Sequence, residues 1–145
     1  MKISQILQGK AINALYTVTS SETVLDALKL MAEKNIGAVL VVDNGQLTGI
    51  FSERDYARKV ILKDRSSGDT RISDVMTSVV ITIEPQQSIE ECMFIMSDNH
   101  IRHLPVMDNG VLMGIISISD VVTAIIRDQK TRIDSLESYI SGSPY

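Results

Sequence analysis

The chain has 145 residues, 44% of them hydrophobic and 22% charged, with a net charge of −4. That length suits one compact body that buries roughly two-thirds of its unfolded surface, whereas each half, at about 60 residues, would be marginal alone. The acidic balance excludes a basic nucleic-acid face, no apolar run approaches the roughly 20 residues of a membrane span, and a single cysteine excludes an internal disulfide.

The amino terminus, Met1-Lys2-Ile3-Ser4-Gln5, lacks the apolar stretch of a secretory signal. The chain therefore reads as a soluble, cytoplasmic protein. A short strand is expected at Tyr16-Thr17-Val18. Residues 23–35 carry Val24, Leu28 and Met31 on one helical stripe. Thr23-x-x-Asp26 opens that helix with an acidic variant of the capping box. A β-rich run at 38–42 and a second at 47–51 flank Asn44-Gly45. Asn-Gly between apolar runs is a strong hairpin signal, because both turn residues must tolerate positive φ. A second helix begins near Ser52. Residues 63–70 are polar, hold Ser66-Ser67-Gly68, and read as a linker.

The pattern then starts again. A strand is expected at 80–83 and a helix at 88–99, with Ile89, Met93 and Met96 on its stripe. Ser88-x-x-Glu91 has full capping-box spacing. Runs at 104–107 and 112–116 flank Asn109-Gly110, and a helix begins near Ser117. Helix continues from 121 to 140, with Ile126, Ile133 and Ile140 spaced by sevens and Leu136 at a d-like position. This stripe is expected to pack on the chain's own core. The alternative is a helix–helix contact in a dimer, which Gln129 at the other d-like position weakens.

The second half repeats the first at an offset of 65 residues. Residues 43–55 return as 108–120 without a gap, and Thr17, Met31, Ile36 and Val41 match Thr82, Met96, Ile101 and Val106. Ile72-Ser73-Asp74-Val75-Met76 echoes Ile3-Ser4-Gln5-Ile6-Leu7 at an offset of 69, so the first half carries four extra residues between Gln8 and Tyr16. Repeats this small imply a pseudo-two-fold pair with two related clefts, which the insertion makes unequal.

Strand, Asn-Gly hairpin, Gly-Ile-x-Ser-x-x-Asp and helix, twice over, resembles the tandem CBS domain family, also called the Bateman module. Residues 52–59 and 101–106 resemble its stand-alone subgroup, as does Tyr139-Ile140-x-Gly142-x-x-Tyr145. The resemblance implies an α/β (α+β) fold, a pseudo-two-fold pair of CBS repeats, each a small sheet with two packed helices. The division is 1–65 for the first repeat, 66–127 for the second and 128–145 for a helical tail. It implies a regulatory, non-enzymatic sensor of AMP, ADP, ATP or NAD(H), with no catalytic cofactor, acting as a homodimer on a protein partner that the sequence does not name.

Ser52-x-x-Asp55 and Ser117-x-x-Asp120 are first of all helix-start patterns, and both serines suit a cap. A helix N-terminus also receives phosphate, and a carboxylate accepts two hydrogen bonds from a ribose diol. By resemblance, each aspartate holds a ribose and each serine lies near the phosphates. The first cleft would take Ser52, Arg54 and Asp55 with Val80, Ile101, Arg102 and His103. Arg102 suits a bidentate phosphate contact, and His103 would add charge at mildly acid pH. The second cleft would take Ser117, Ser119 and Asp120 with Ile36, Gly37 and the segment from Ala11 to Tyr16. Gly37 and Ala38 stand where Arg102 and His103 stand, so this cleft lacks the cationic pair. A monophosphate is expected at Asp120 and a ligand with more phosphate at Asp55.

His100-x-x-His103 has no second metal-ligating cluster, and Cys92 reads as a buried small hydrophobe. There is no Walker-type phosphate loop, no G-x-G-x-x-G after a strand and no nucleophile–base pair at useful spacing. A dimerisation scaffold without a ligand response is the rival reading.

Overall fold

The computed structural model describes residues 1–10 and 15–140. In chain order its elements are α1 (Ile3–Gly9), β1 (Thr17–Val18), α2 (Val24–Lys34), β2 (Ala38–Asp43), β3 (Gln46–Ser52), α3 (Glu53–Asp55), α4 (Ile72–Val75), α5 (Ile89–Asn99), β4 (His103–Asp108), β5 (Val111–Ser117) and α6 (Ile118–Ile140). They form two compact units. One is Ala14–Thr82; the other joins Met1–Asn13 to Ile83–Tyr145. The short helices are therefore exchanged relative to the linear repeats. α1 belongs with the second repeat, and α4 with the first.

Both hairpins form where Asn-Gly predicts them. Asn44 and Gly45 take φ of 51° and 76°, and Asn109 and Gly110 take 50° and 80°. β2 pairs antiparallel with β3, and β4 with β5, each with a register shift just before the turn (Val41/Val42 and Val106/Met107). β1 adds in parallel to β2. The strand expected at 80–83 shrinks to one parallel bridge, Ile83 to Val106, with hydrogen bonds to the Pro105 carbonyl at 3.0 Å and from Met107 N–H at 2.9 Å. Only Ile83 of that run is buried in an apolar core, so burial reinforces pairing there and nowhere else in the run.

Equivalent positions build the two cores. Val18, Val24, Ala27, Met31, Val39, Val41 and Phe51 pack together in the first-repeat unit. Ile83, Ile89, Cys92, Met96, Leu104, Val106 and Ile116 do so in the other. Ile72 and Val75 of α4 complete the first core as Ile3 and Ile6 of α1 complete the second. Each large side chain so buried contributes about 1.5–3 kcal/mol. The backbone attaches both short helices alike. Ile72 N–H donates to the Glu22 carbonyl and Ile3 N–H to the Gln87 carbonyl, each at 2.9 Å, while Val24 N–H reaches Thr70 O at 2.9 Å and Ile89 N–H reaches Met1 O at 3.0 Å. Cys92 is buried as expected, and burial pushes its thiol up to about 11.

The helix starts hold one reversal. Thr23 and Asp26 form the reciprocal box, with bonds of 3.1 and 3.2 Å. Ser88 accepts the Glu91 N–H at 3.1 Å, but the longer Glu91 side chain turns to Gln87 Nε2 at 2.9 Å. After β3 the expected helix is irregular. Three α-helical residues give way to a wider π-type turn at Tyr56–Val60 and a 3-10 turn at Ile61–Lys63, closed by Asp64 at φ 57°. Its counterpart α6 runs unbroken for 23 residues. The tail stripe does not pack on the core: Ile126, Ile133, Leu136 and Ile140 are exposed. Gly142 and Tyr145 lie outside the described residues. Among those described, no helix is long and apolar enough to cross a membrane.

Candidate functional site

Each unit holds the same local device. β3 and β5 end in a serine that caps the following helix, and an acid three residues on closes the box. Asp55 N–H donates to Ser52 Oγ at 3.2 Å, and Ser52 N–H returns to Asp55 Oδ2 at 3.0 Å. Asp120 N–H donates to Ser117 Oγ at 3.1 Å, and Ser117 N–H returns to Asp120 Oδ2 at 2.8 Å. The capping role of both serines is thus realised.

The segment after α2 or α5 supplies the next contact. Asn35 and His100 end those helices in left-handed conformations at φ 53°, and Ile36 and Ile101 N–H close back on Met31 and Met96 carbonyls at 3.0 Å. Gly37 O then accepts Glu53 N–H at 3.0 Å, and Arg102 O accepts Ile118 N–H at 2.9 Å. Gly37 and Arg102 therefore do the same backbone job, although one has no side chain and the other an exposed guanidinium. These bonds also use up the helix-start donors. Of the first four amides at α6, those of Ser117, Ile118 and Asp120 are engaged, which leaves Ser119 among the described residues.

The carboxylates differ in what else holds them. Asp55 is buried. It accepts the Ser52 hydroxyl at 3.1 Å, the Thr77 hydroxyl at 3.2 Å and Lys59 Nζ at 3.1 Å. Asp120, with 21% of its side chain exposed, is paired to Lys10 Nζ at 3.0 Å, and that ammonium also donates to the Ile115 carbonyl at 2.8 Å. A cavity of about 600 Å³ runs between α1 and α6, lined by Lys10, Asp120, Ile6, Thr123, Ala124 and Arg127 among others.

Sequence reasoning named neither lysine, nor Thr77. Lys59 had a legible signal, since it stands four residues after Asp55 on the same helix. Thr77 and Lys10 arrive through tertiary packing and had none. At Asp120 a cation comes from Lys10, at the C-terminal end of α1. His103 pairs with Ser117 across the hairpin, and its charged neighbours are Asp120, Arg102 and Lys10. Burial holds this imidazole below the ordinary histidine range, offset in part by the Asp120 carboxylate.

The remaining named residues divide by unit. Ser52, Arg54, Asp55, Val80, Ile36, Gly37 and Tyr16 belong to Ala14–Thr82, and Ser117, Ser119, Asp120, Ile101, Arg102 and His103 to the other unit. Val80 is half-buried, and Tyr16 stacks beneath Lys34 Nζ at 5.3 Å. Ala11 lies outside the described residues. His100 serves as the C-cap of α5, and no metal-binding group of acids, histidines or cysteines occurs among the described residues.

Known proteins share this pattern. The family model described as CBS domain matches residues 10–62 and 72–127. The CBS domain-containing protein CBSX3, mitochondrial, of Arabidopsis thaliana is 38% identical over 97% of this chain and 72% of its own length. A solved structure of a protein with CBS domains from Burkholderia ambifaria MC40-6, provisionally assigned to signal transduction, is 52% identical with a TM-score of 0.86, covering 89% of this chain and 96% of that one. The CBS domain pair of protein MJ0100, solved with 5′-methylthioadenosine and S-adenosyl-L-methionine, is 25% identical with a TM-score of 0.78, covering 88% and 98%.

Proposed function

The chain belongs to the CBS domain family, as a tandem pair, and on that premise we infer that it is a regulatory ligand-sensing module, not an enzyme. Its inferred ligand is an adenine nucleotide: AMP, ADP, ATP or NAD(H). The observation that carries this reading is the carboxylate that recurs at a helix start in both units, locked by its own serine and met by a lysine. Such a carboxylate accepts two hydrogen bonds from a vicinal diol, and a ribose offers one. Asp55 and Asp120 are the inferred ribose acceptors, with Ser52 and Ser117 beside the phosphates. The two adenosine derivatives bound by the MJ0100 pair support the adenine class.

The signal is a population shift. A ligand that binds one arrangement of the chain more tightly raises its share by its differential affinity, and a partner protein reads the result. The exposed stripe of Ile126, Ile133, Leu136 and Ile140 supports a homodimer through α6. Ile133→Glu is expected to yield monomer by size-exclusion chromatography with light scattering.

The deciding experiment is a thermal-shift panel with AMP, ADP, ATP, NAD, NADH and S-adenosylmethionine, followed by calorimetry. A ligand at 100 times its dissociation constant adds about 2.7 kcal/mol. The double variant Asp55→Ala, Asp120→Ala should fold and lose that response. A dimer that α6 variants disrupt, with no shift from any ligand, would favour a dimerisation scaffold instead.

A further inference from the structure

We propose that Lys10 is the specificity-determining residue of the Asp120 site, and that it selects a phosphate-bearing ligand over the bare nucleoside. The proposal rests on the ribose-binding reading of Asp120. It adds the group that the ligand must displace, and what that displacement demands of the ligand.

Lys10 Nζ makes two short contacts, to Asp120 Oδ2 at 3.0 Å and to the Ile115 carbonyl at 2.8 Å, with only 18% of its side chain exposed. Asp120 Oδ2 also accepts the Ser117 N–H. Two partners fill Oδ2, so a diol that bonds both carboxylate oxygens competes with Lys10 for Oδ2. Once displaced, the ammonium keeps its bond to Ile115 O but loses its counter-charge. Leaving a partly buried cation without an anion is costly. A phosphate on the same ligand replaces the lost carboxylate, and a nucleoside offers nothing in its place. The diol and the phosphate thus act together: one takes Asp120 and the other takes Lys10.

Of the cations around this cavity, Lys10 is the one paired with Asp120 among the described residues. Three of the four amides that begin α6 already have partners, so the helix start is a poor phosphate cradle. Burial lowers the pKa of His103, nearby, and so disfavours its charged form. Lys10 and Asp120 both line the cavity of about 600 Å³ between α1 and α6, a volume in the range of small-molecule sites. Arg127 and Asp128 line it too, and Asp128 is engaged by Arg132 at 3.4 Å. Lys10 follows α1, and the residue that reaches Asp55 from the segment after α4 is Thr77, a hydroxyl and not a cation. At Asp55 the lysine comes instead from the helix itself, as Lys59.

The test is a titration of the full chain with AMP and with adenosine, read at the Ser119 amide by 1H–15N NMR, so that the Asp55 site does not contribute. The unsubstituted protein should bind AMP at least about 10-fold tighter than adenosine, a difference near 1.4 kcal/mol. Lys10→Met should bring the two within about threefold, by weakening AMP and leaving adenosine equal or tighter. Lys10→Arg should restore much of the preference, and Lys10→Gln replaces the methionine variant if that one does not fold. An unchanged AMP-to-adenosine ratio in Lys10→Met, with both ligands lost in Asp120→Ala, overturns the role of Lys10 and leaves the ribose reading standing. Equal binding of both ligands by the unsubstituted protein also overturns it. If neither ligand moves the Ser119 signal, or Asp120→Ala binds normally, the ribose reading fails and this proposal with it.

Discussion

Asp55 and Asp120 occupy equivalent places in the two repeats, and their serine caps are alike to within a few tenths of an ångström. What differs is the source of everything around them. Asp55 draws a hydroxyl from Thr77 and an ammonium from Lys59, one turn along its own helix. Asp120 draws its ammonium from Lys10, more than a hundred residues earlier in the chain. The helix after Asp55 widens into a π-type turn within five residues, whereas α6 continues for 23. Duplication has thus preserved the local hydrogen bonds that a short motif dictates. The tertiary partners that set charge and access have been free to diverge.

The sharpest way to break this comparison is through the exchanged short helices. Ile3→Ala and Ile72→Ala each empty a fully buried site, and each should cost about 2–5 kcal/mol in urea unfolding. Similar losses would show that the repeats remain equivalent in their cores. A marked inequality would mean the divergence reaches further. Next in size is Gly49→Ala. A Cβ there would lie 2.6 Å from Met76 Sδ and 3.0 Å from the Thr77 carbonyl. Met76 can yield, but Thr77 is bonded to Ile50 by 2.9 and 3.0 Å hydrogen bonds. A loss of about 1–3 kcal/mol is expected, together with weaker ligand binding at Asp55 alone, because Thr77 carries one of that carboxylate's bonds.

Ser52→Ala and Ser117→Ala remove the two caps, each at about 0.5–2 kcal/mol by thermal or urea unfolding. Ser52 should be the costlier, since its hydroxyl also donates to the buried Asp55. The smallest effect is one of pH. Burial lowers the His103 pKa in the folded state, while an unfolded histidine titrates near 6.5. Below that value the unfolded chain takes up the proton first. Stability from this group is therefore complete above pH 6.5 and is lost as pH falls through the folded value. The urea midpoint should drop between pH 7.5 and 5.5, and His103→Gln should flatten that slope. Over this range the carboxylates with lowered values, Asp26, Asp43 and Glu91, stay ionised and do not contribute.

How far the chain could be read in advance follows the same divide between local and distant. The hairpins, the caps at Thr23, Ser52, Ser88 and Ser117, and the helix stripes each depend on residues within a few positions, and all four helix starts form where expected. The strand expected at 80–83 was misjudged because its β-rich composition says nothing about whether a partner strand runs alongside. The stripe of α6 was misjudged because period alone gives a face, not its destination. Lys10 and Thr77 had no sequence signal, since their partners lie 110 and 22 residues away. The exchange of α1 and α4 was half-visible in the echo of Ile72-Ser73 with Ile3-Ser4. The echo matched the two segments to each other without indicating which repeat each would join.

That exchange bears on how the protein comes to be made. Ile3 bonds to Gln87, and its methyls fill a core finished only by β4 and β5. Residues 1–9 must therefore wait for roughly 100 more to be made, about 5–20 s at ordinary synthesis rates. Meanwhile residues 14–82 have nearly all their partners at hand, α4 included, and can fold first. Loop closure over such a span costs little extra free energy per added residue, yet contacts this distant slow the search for the native state. A nascent chain stalled between the two events would carry one finished unit and one apolar amphipathic helix exposed ahead of it, a natural target for a holding chaperone.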